Sequence, residues 1–206
     1  MTYGPKFLIK EFFHKNAGYI RKNYPGANEI ILFREFLYFY GKNVEANQFV
    51  DHEVKEHLEI FYEKVLKGIP FQYMSGQAHF YGRDFIVNEN VLIPRPETEL
   101  LLDKAIKYII NNSKKEKRVL DLCTGSGCIG ISIACEVKGY IRLELSDISK
   151  EALLVTEKNI QKFEYDRNSK TEIKVIHSDL FKNIKGHFDI IVSNPPYIKK
   201  QSHNAL

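Results

Sequence analysis

Long apolar runs are missing from these 206 residues, and no stretch approaches the roughly 20 residues a membrane-spanning helix requires. The opening segment, MTYGPKFLIKEFFHKN, lacks the apolar core and small-residue cleavage site of a secretory signal, so a cytoplasmic protein is expected. Cysteine is scarce: Cys123, Cys128 and Cys135 fall in one short segment. An odd number so placed makes no disulfide framework, and the spacing fits no zinc pattern. Cys128 and Cys135 share a face of an expected helix and read as small core residues. Charge of one sign is also lacking, since 30 basic against 26 acidic residues leave a net +4. No dense Lys/Arg patch with interleaved aromatics is visible, which argues against a base-flipping groove. There are no internal repeats. The one biased stretch, KKEKR at Lys114 to Arg118, reads as a solvated loop.

What is present falls into three textures. Residues 1 to 70 have apolar positions at helical spacing in three segments. Asn28 and Asp51 stand where N-caps belong, and Gly41 and Gly68 where helices stop. A small helical bundle follows from this, with its aromatics as core. Residues 71 to 96 are rich in aromatic and β-branched residues broken by Gly76, Gly82 and Asn88-Glu89-Asn90, the pattern of hairpin strands. IPRP then forces an extended backbone. From Glu97 onward helix and strand alternate: ETELLLDKAIKYIINN, RVLDLC, GCIGISIACEV, IRLELSD, SKEALLVTEKNIQKF, EIKVIHSD, FDIIVS. Such alternation predicts an α/β fold with a parallel sheet and right-handed crossovers.

Three places carry chemistry. In VLDLCTGSGCIG a strand ends, a glycine turn follows and a helix begins. Gly125 and Gly127 allow left-handed backbone and close ligand approach, and the helix behind them presents unpaired N–H groups. Gly125-x-Gly127-x-x-Gly130 also spells the dinucleotide fingerprint. Asp147 closes the next strand, twenty positions past Gly127, where its carboxylate can accept ribose hydroxyls. That favours an adenosine-containing cofactor without separating NAD from S-adenosylmethionine. Asp121, ahead of the glycines, would oppose a pyrophosphate and suits a cofactor with a cationic amino-acid end. The third strand ends on Ser178-Asp179-Leu180-Phe181. In a parallel sheet the carboxyl ends of the strands line one edge, so Asp121, Asp147, Asp179 and Asn194 should gather there.

The third place is Asn194-Pro195-Pro196-Tyr197, after the fourth strand. Methylating an amide or aromatic amine is hard because the nitrogen lone pair is delocalised. The site must hold a planar NH₂ group at attack distance. The Asn194 side-chain oxygen and the Pro195 carbonyl can each accept one N–H, the two prolines make that carbonyl rigid, and Tyr197 can pack on the planar group. The acceptors also stabilise positive charge developing on nitrogen.

These segments, with PFQYMSGQAHFYGRDFIVNENVLIPRPETELLL, occur in an order that resembles the peptide chain release factor N(5)-glutamine methyltransferase family (PrmC/HemK) from Pro70 to Ile198. The resemblance implies a class I Rossmann-like methyltransferase, strand order 3-2-1-4, over residues 97–206, behind a helical domain (1–70) and a hairpin linker (71–96). It implies methyl transfer from S-adenosylmethionine to the glutamine amide of the Gly-Gly-Gln motif in class 1 release factors, with the N-terminal helices helping to dock that partner and no nucleic acid required. By position, Cys123, Thr124, Gly125, Ser126 and Gly127 would hold the methionine end of the cofactor. Asp147 would hold the ribose, and Leu180 would lie beside the adenine. Asp121, Asp179 and Asn194 complete the cofactor set, while Asn194 to Tyr197 would hold the substrate amide. Two departures stand out. Cys123 replaces a usual glycine, and the fold normally continues roughly 70 to 80 residues past Asn-Pro-Pro-Tyr. A truncated chain is therefore expected, with an apolar strand at the sheet edge. Other readings are a methyltransferase for a ribosomal-protein glutamine or a nucleobase amine, an NAD oxidoreductase, and an inactive remnant or half of a split enzyme.

Overall fold

The computed structural model describes residues 4–42, 44–46, 50–111, 116–164, 166 and 170–196. They form two compact units that divide between Gln77 and Ala78. Among the described residues no helix is long and apolar enough to cross a membrane.

The first unit is helical: α1 (Pro5–Asn23), α2 (Glu29–Tyr40), α3 (His52–Leu66) and α4 (Phe71–Ser75). The expected caps form. The Asn28 side chain accepts the N–H groups of Ile30 and Ile31, both at 3.0 Å, and Asp51 accepts that of Val54 at 2.9 Å. Gly41 closes α2 at φ 70°. Ile9, Phe13, Ile20, Leu32, Phe36 and Phe61 fill the core. The Tyr24 hydroxyl is shared between the carbonyls of Val65 (3.1 Å) and Ile69 (2.8 Å), which satisfies the end of α3. One expectation is corrected here. Phe71–Ser75 is a helix, not the first piece of a hairpin. Phe71 and Met74, three apart, pack on the helical core, and Gly76 at φ 72° ends the turn.

From Ala78 the second unit opens with a hairpin, whose strands are β1 (Gln77–Phe80, beginning at the last residue of the first unit) and β2 (Arg83–Ile86). Phe80 and Phe85 are fully buried in the same core as Leu102, Ile109 and Ile131. Both hairpin phenylalanines are thus part of the core of the sheet unit. Then follow α5 (Glu97–Asn111), β3 (Glu116–Leu122), α6 (Cys128–Glu136), β4 (Tyr140–Asp147), α7 (Lys150–Lys162), β5 (Thr171–His177) and β6 (Ile190–Ser193). The four long-range strands run parallel, as the alternation predicts, in the order β5-β4-β3-β6 of the class I Rossmann-like arrangement that the resemblance implies.

Strand β3 starts earlier than expected. Glu116 already pairs with Tyr140, so Glu116–Arg118 belong to the sheet and not to a loop. The Arg118 N–H donates to the Asp189 carboxylate at 2.9 Å, and its guanidinium pairs with Glu144 at 2.8 Å. Lys114 and Lys115 lie outside the described residues. Strand β6 starts at Ile190, with the Phe188 ring 4.8 Å beneath the Arg118 guanidinium. Because chain order runs outward from β3 in both directions, the sheet has its switch point there. A crevice opens outside the carboxyl ends of strands at such a point.

Candidate active site

The turn after β3 is built around two carboxylates, the buried Asp121 and the half-buried Asp147. Asp121 is fully buried, and one of its oxygens accepts the Thr124 hydroxyl (2.7 Å) and the Gly130 N–H (3.0 Å). Its other oxygen has no hydrogen-bond partner. Burial, above the opposing effect of those two hydrogen bonds, pushes the carboxyl up to about 6. Gly130 has no room for a side chain, since a Cβ would lie 2.2 Å from Leu145 and 3.1 Å from Asp121. The close packing of α6 on β3 and β4 rests on that glycine.

Cys123 sits in the left-handed region at φ 62°, where glycine is the residue at ease. Burial, and then the charge of Asp147, push its thiol up. Gly125 at φ 57° faces open space where a Cβ would stand. Its N–H donates to Asp147 at 2.9 Å, and the other Asp147 oxygen accepts the Ser149 N–H at 3.0 Å. Ser149 in turn caps α7 through the Ala152 N–H. One carboxylate thus ties the glycine turn to the start of α7 and keeps lone pairs for a ligand.

A cavity of about 490 Å³ lies at this edge. It is lined by Cys123 and Gly125 after β3, Asp147 and Ile148 after β4, Ser178, Asp179 and Leu180 after β5, and Asn194, Pro195 and Pro196 after β6. The expected gathering of strand ends holds for three of the four polar groups. Asp121 is the exception: it does not line the cavity but braces the turn from beneath. Thr124, Ser126 and Gly127 are likewise inside the turn and absent from the lining. Ile148 and Leu180 are 63% and 55% exposed, an apolar pair at the rim. Leu180 is also left-handed, at φ 48°. Among the described residues, two of the three non-glycine residues with positive φ therefore line this one cavity. Strain of that kind, of order 1–3 kcal/mol per residue, concentrates at functional sites.

Residues 98–206 match the methyltransferase small domain family. The chain belongs to that family. Curated relatives sharpen the match. A release factor glutamine methyltransferase of Borreliella burgdorferi is 44% identical over 71% of this chain and 50% of its own length. One of Leptospira interrogans is 48% identical over 64% of this chain and 45% of its own. A ribosomal protein uL3 glutamine methyltransferase of Francisella tularensis is 38% identical over 80% of this chain and 51% of its own. The chain spans about half the length of the curated relatives it matches.

Within this methyltransferase unit, Asn194 is held from two directions. The Ser193 hydroxyl before it donates to the Leu122 carbonyl at 2.6 Å. The Asn194 side-chain nitrogen donates to the Thr98 hydroxyl oxygen at 3.0 Å. Asn194 also lines a second cavity of about 560 Å³, with Leu92, Arg95 and Thr98. Pro195 and Pro196 are exposed. Tyr197 lies outside the described residues.

Sequence reasoning missed the residues that hold the turn from α7. Thr156 donates its hydroxyl to the Gly125 carbonyl at 2.8 Å. Asn159, fully buried, donates to the carbonyls of Ser126 and Ile86, both at 2.9 Å, and accepts the Ile86 N–H at 2.7 Å. It ties hairpin strand β2 to the glycine turn. The available signal was a polar pair, Thr156 and Asn159, at helical spacing on the apolar face of α7 beside Ala152 and Val155.

Proposed function

We propose that this chain carries the donor site and the amide clamp of a glutamine amide methyltransferase that works in the cytoplasm. The donor is S-adenosylmethionine, and the acceptor is the glutamine of the Gly-Gly-Gln motif in class 1 peptide chain release factors. One observation supports the reading above all: Asn194 and Pro195 line the same 490 Å³ cavity as Asp147, Asp179, Leu180, Cys123 and Gly125. A volume in that range suits a cofactor of this size.

The residues present fit the donor. Gly125 leaves open space where a side chain would block it. Asp147 offers acceptors for a ribose diol, and Ile148 and Leu180 offer apolar faces for a purine. Cys123 and Gly125 would lie beside the amino-acid end. Asp121, Thr124, Ser126 and Gly127 serve by holding the turn's shape. Asp179 would stand at the polar rim, where it now pairs with Lys182. When bound, S-adenosylmethionine supplies a methyl group made electrophilic by its sulfonium sulfur.

The chain's own contribution is positional. Asn194 Oδ1 and the Pro195 carbonyl would accept the two N–H bonds of the glutamine amide and hold its plane beside the donor cavity. With the donor bound, the amide nitrogen would take its methyl group, the thioether left after methyl loss would be the leaving group, and one amide proton would pass to solvent. Both acceptors point partial negative charge at a nitrogen that turns positive, which lowers the barrier where it is highest. Tyr197 would cover the amide face. The helical unit would meet the release factor, and no nucleic acid is needed for recognition. A second acceptor, a ribosomal-protein glutamine, is supported by the similarity to the Francisella uL3 enzyme.

The test is transfer of isotopically labelled methyl to a release factor, to its glutamine-to-alanine variant, and to uL3. Label on the first alone is expected. Label on the glutamine variant as well would refute the clamp, and label on uL3 alone would move the substrate to the ribosome.

A further inference from the structure

We infer that the exposed face of α1 binds the phosphate backbone of an RNA strand, a contact separate from the amide clamp and not needed to recognise the glutamine. Helix α1 carries Lys6, Lys10, Lys15, Arg21 and Lys22 against Glu11 alone. The rest of the chain balances at 25 basic and 25 acidic residues, so the whole net charge of +4 sits on these 19 residues. All five cations are exposed, and among the described residues none of them is in an ion pair. Helix stability does not account for the arrangement. Lys6 stands in a first turn that holds no acid, against the positive end of the helix dipole, and Lys6 and Lys10 repel at four-residue spacing.

The spacing is regular. Lys6, Lys10, His14, Gly18 and Lys22 follow one another four residues apart, about 6 Å per step along a helix. A kink at Asn16 (φ −116°) bends the line, yet Gly18, Arg21 and Lys22 beyond it are still exposed. Gly18 has open space where a Cβ would stand, so packing does not require a glycine there, and inside a helix glycine costs stability. It leaves a gap through which a strand can approach the helix backbone. Phe7, 39% exposed and two turns before His14, offers a ring to a base on the same side. A protein partner presents carboxylates at irregular intervals, whereas a nucleic-acid strand repeats its charge at a fixed one, as α1 does. The choice of RNA rests on the proposed function, whose acceptors work where RNA is the abundant polyanion.

The test is fluorescence anisotropy of a labelled oligouridylate of about 20 nucleotides, titrated with the 206-residue chain at several salt concentrations. With about four phosphates neutralised, log K should fall against log salt with a slope of about −3, roughly 50-fold between about 50 and 200 mM. The triple variant Lys6→Gln, Lys10→Gln, Lys22→Gln keeps helix propensity. It should bind at least ten-fold more weakly at low salt and lose about 2 from that slope. Lys104→Gln, Lys107→Gln, Lys158→Gln removes the same charge from exposed positions of α5 and α7 and should stay within about three-fold of the parent. No binding of the oligouridylate by the parent chain overturns the inference, as does an equal loss in the two triple variants. Binding of a poly-glutamate peptide in place of the RNA, lost on the α1 substitutions, overturns it too and gives the face to an acidic protein. No methyl transfer enters the readout, so a failure of the proposed function is told apart by the transfer assay.

Discussion

The two units bury different things. In the helical unit the core is made of rings and branched chains: Phe36 meets Phe61 edge-on at 5.7 Å, and Phe12 stacks on Tyr62 at 3.9 Å. In the sheet unit, Asp121, Thr124, Ser126, Ser146, Thr156, Asn159 and Ser178 are buried as well, and the helical unit has no comparable set among its described residues. Burying a polar group without a partner costs a few kcal/mol, so such groups persist where they hold something in place. Here Asp121, Thr124, Thr156, Asn159 and Ser178 hold the turns at the cavity edge through their side-chain hydrogen bonds, whereas the Ser126 and Ser146 hydroxyls have no partner. A hydrophobic core yields stability, whereas a polar one yields a fixed shape at a defined place.

Two substitutions break that comparison most sharply. Phe61→Ala should cost the helical core about 3–5 kcal/mol, with donor affinity of the folded protein unchanged. Urea denaturation followed by calorimetry would check both. Asn159→Leu removes three hydrogen bonds and strands the Ser126 carbonyl and both Ile86 groups. A loss of about 2–4 kcal/mol is expected, now together with weaker donor binding at temperatures where the variant is folded. If both variants affected binding alike, the distinction between the two cores would fall.

The carboxylate Asp121 sharpens the comparison through pH. Its folded pKa is raised by burial from 3.8 to about 6. Between pH 4 and 6 the folded chain therefore holds a proton that the unfolded chain has released. Stability from this group is full below about pH 4 and is lost as pH rises through 6, by about 3 kcal/mol. Asp121→Asn keeps an acceptor for Thr124 and Gly130 and cannot titrate. The difference in unfolding free energy between parent and variant should slope over that window and be flat above it. A flat difference throughout would mean the carboxyl is not desolvated. The smallest effect is expected at Cys123, whose left-handed φ costs about 1–2 kcal/mol. Cys123→Gly relieves it and adds chain entropy to the unfolded state, for a net gain of about 0.5–1 kcal/mol in a denaturant midpoint.

Much of this was legible in the sequence where the cause is local. Asn28, Asp51 and Ser149 cap their helices because a short acceptor beside free N–H groups acts within three residues. The parallel sheet follows from alternation, and its order β5-β4-β3-β6 is the one the family resemblance implies. What escaped is non-local. Asn159 reaches Ile86, 73 positions away, and a polar residue on an amphipathic helix looks like surface until its partners are known. Thr98 reaches Asn194 across 96 positions. Asp121 was expected to face a ligand because it ends the right strand, yet the close approach of Gly130 draws it beneath the turn. Phe71–Ser75 misled by composition, since aromatics fit a strand and a short helix equally well.

The central claim is that the cavity at the carboxyl ends of the strands is a methyl-donor site, and calorimetric titration of S-adenosylmethionine into the 206-residue chain tests it most directly. The account predicts one site per chain, at least ten-fold weaker in Asp147→Ala, with NAD giving no heat. A folded chain that takes up NAD, or that binds the donor equally well without the Asp147 carboxylate, would contradict it.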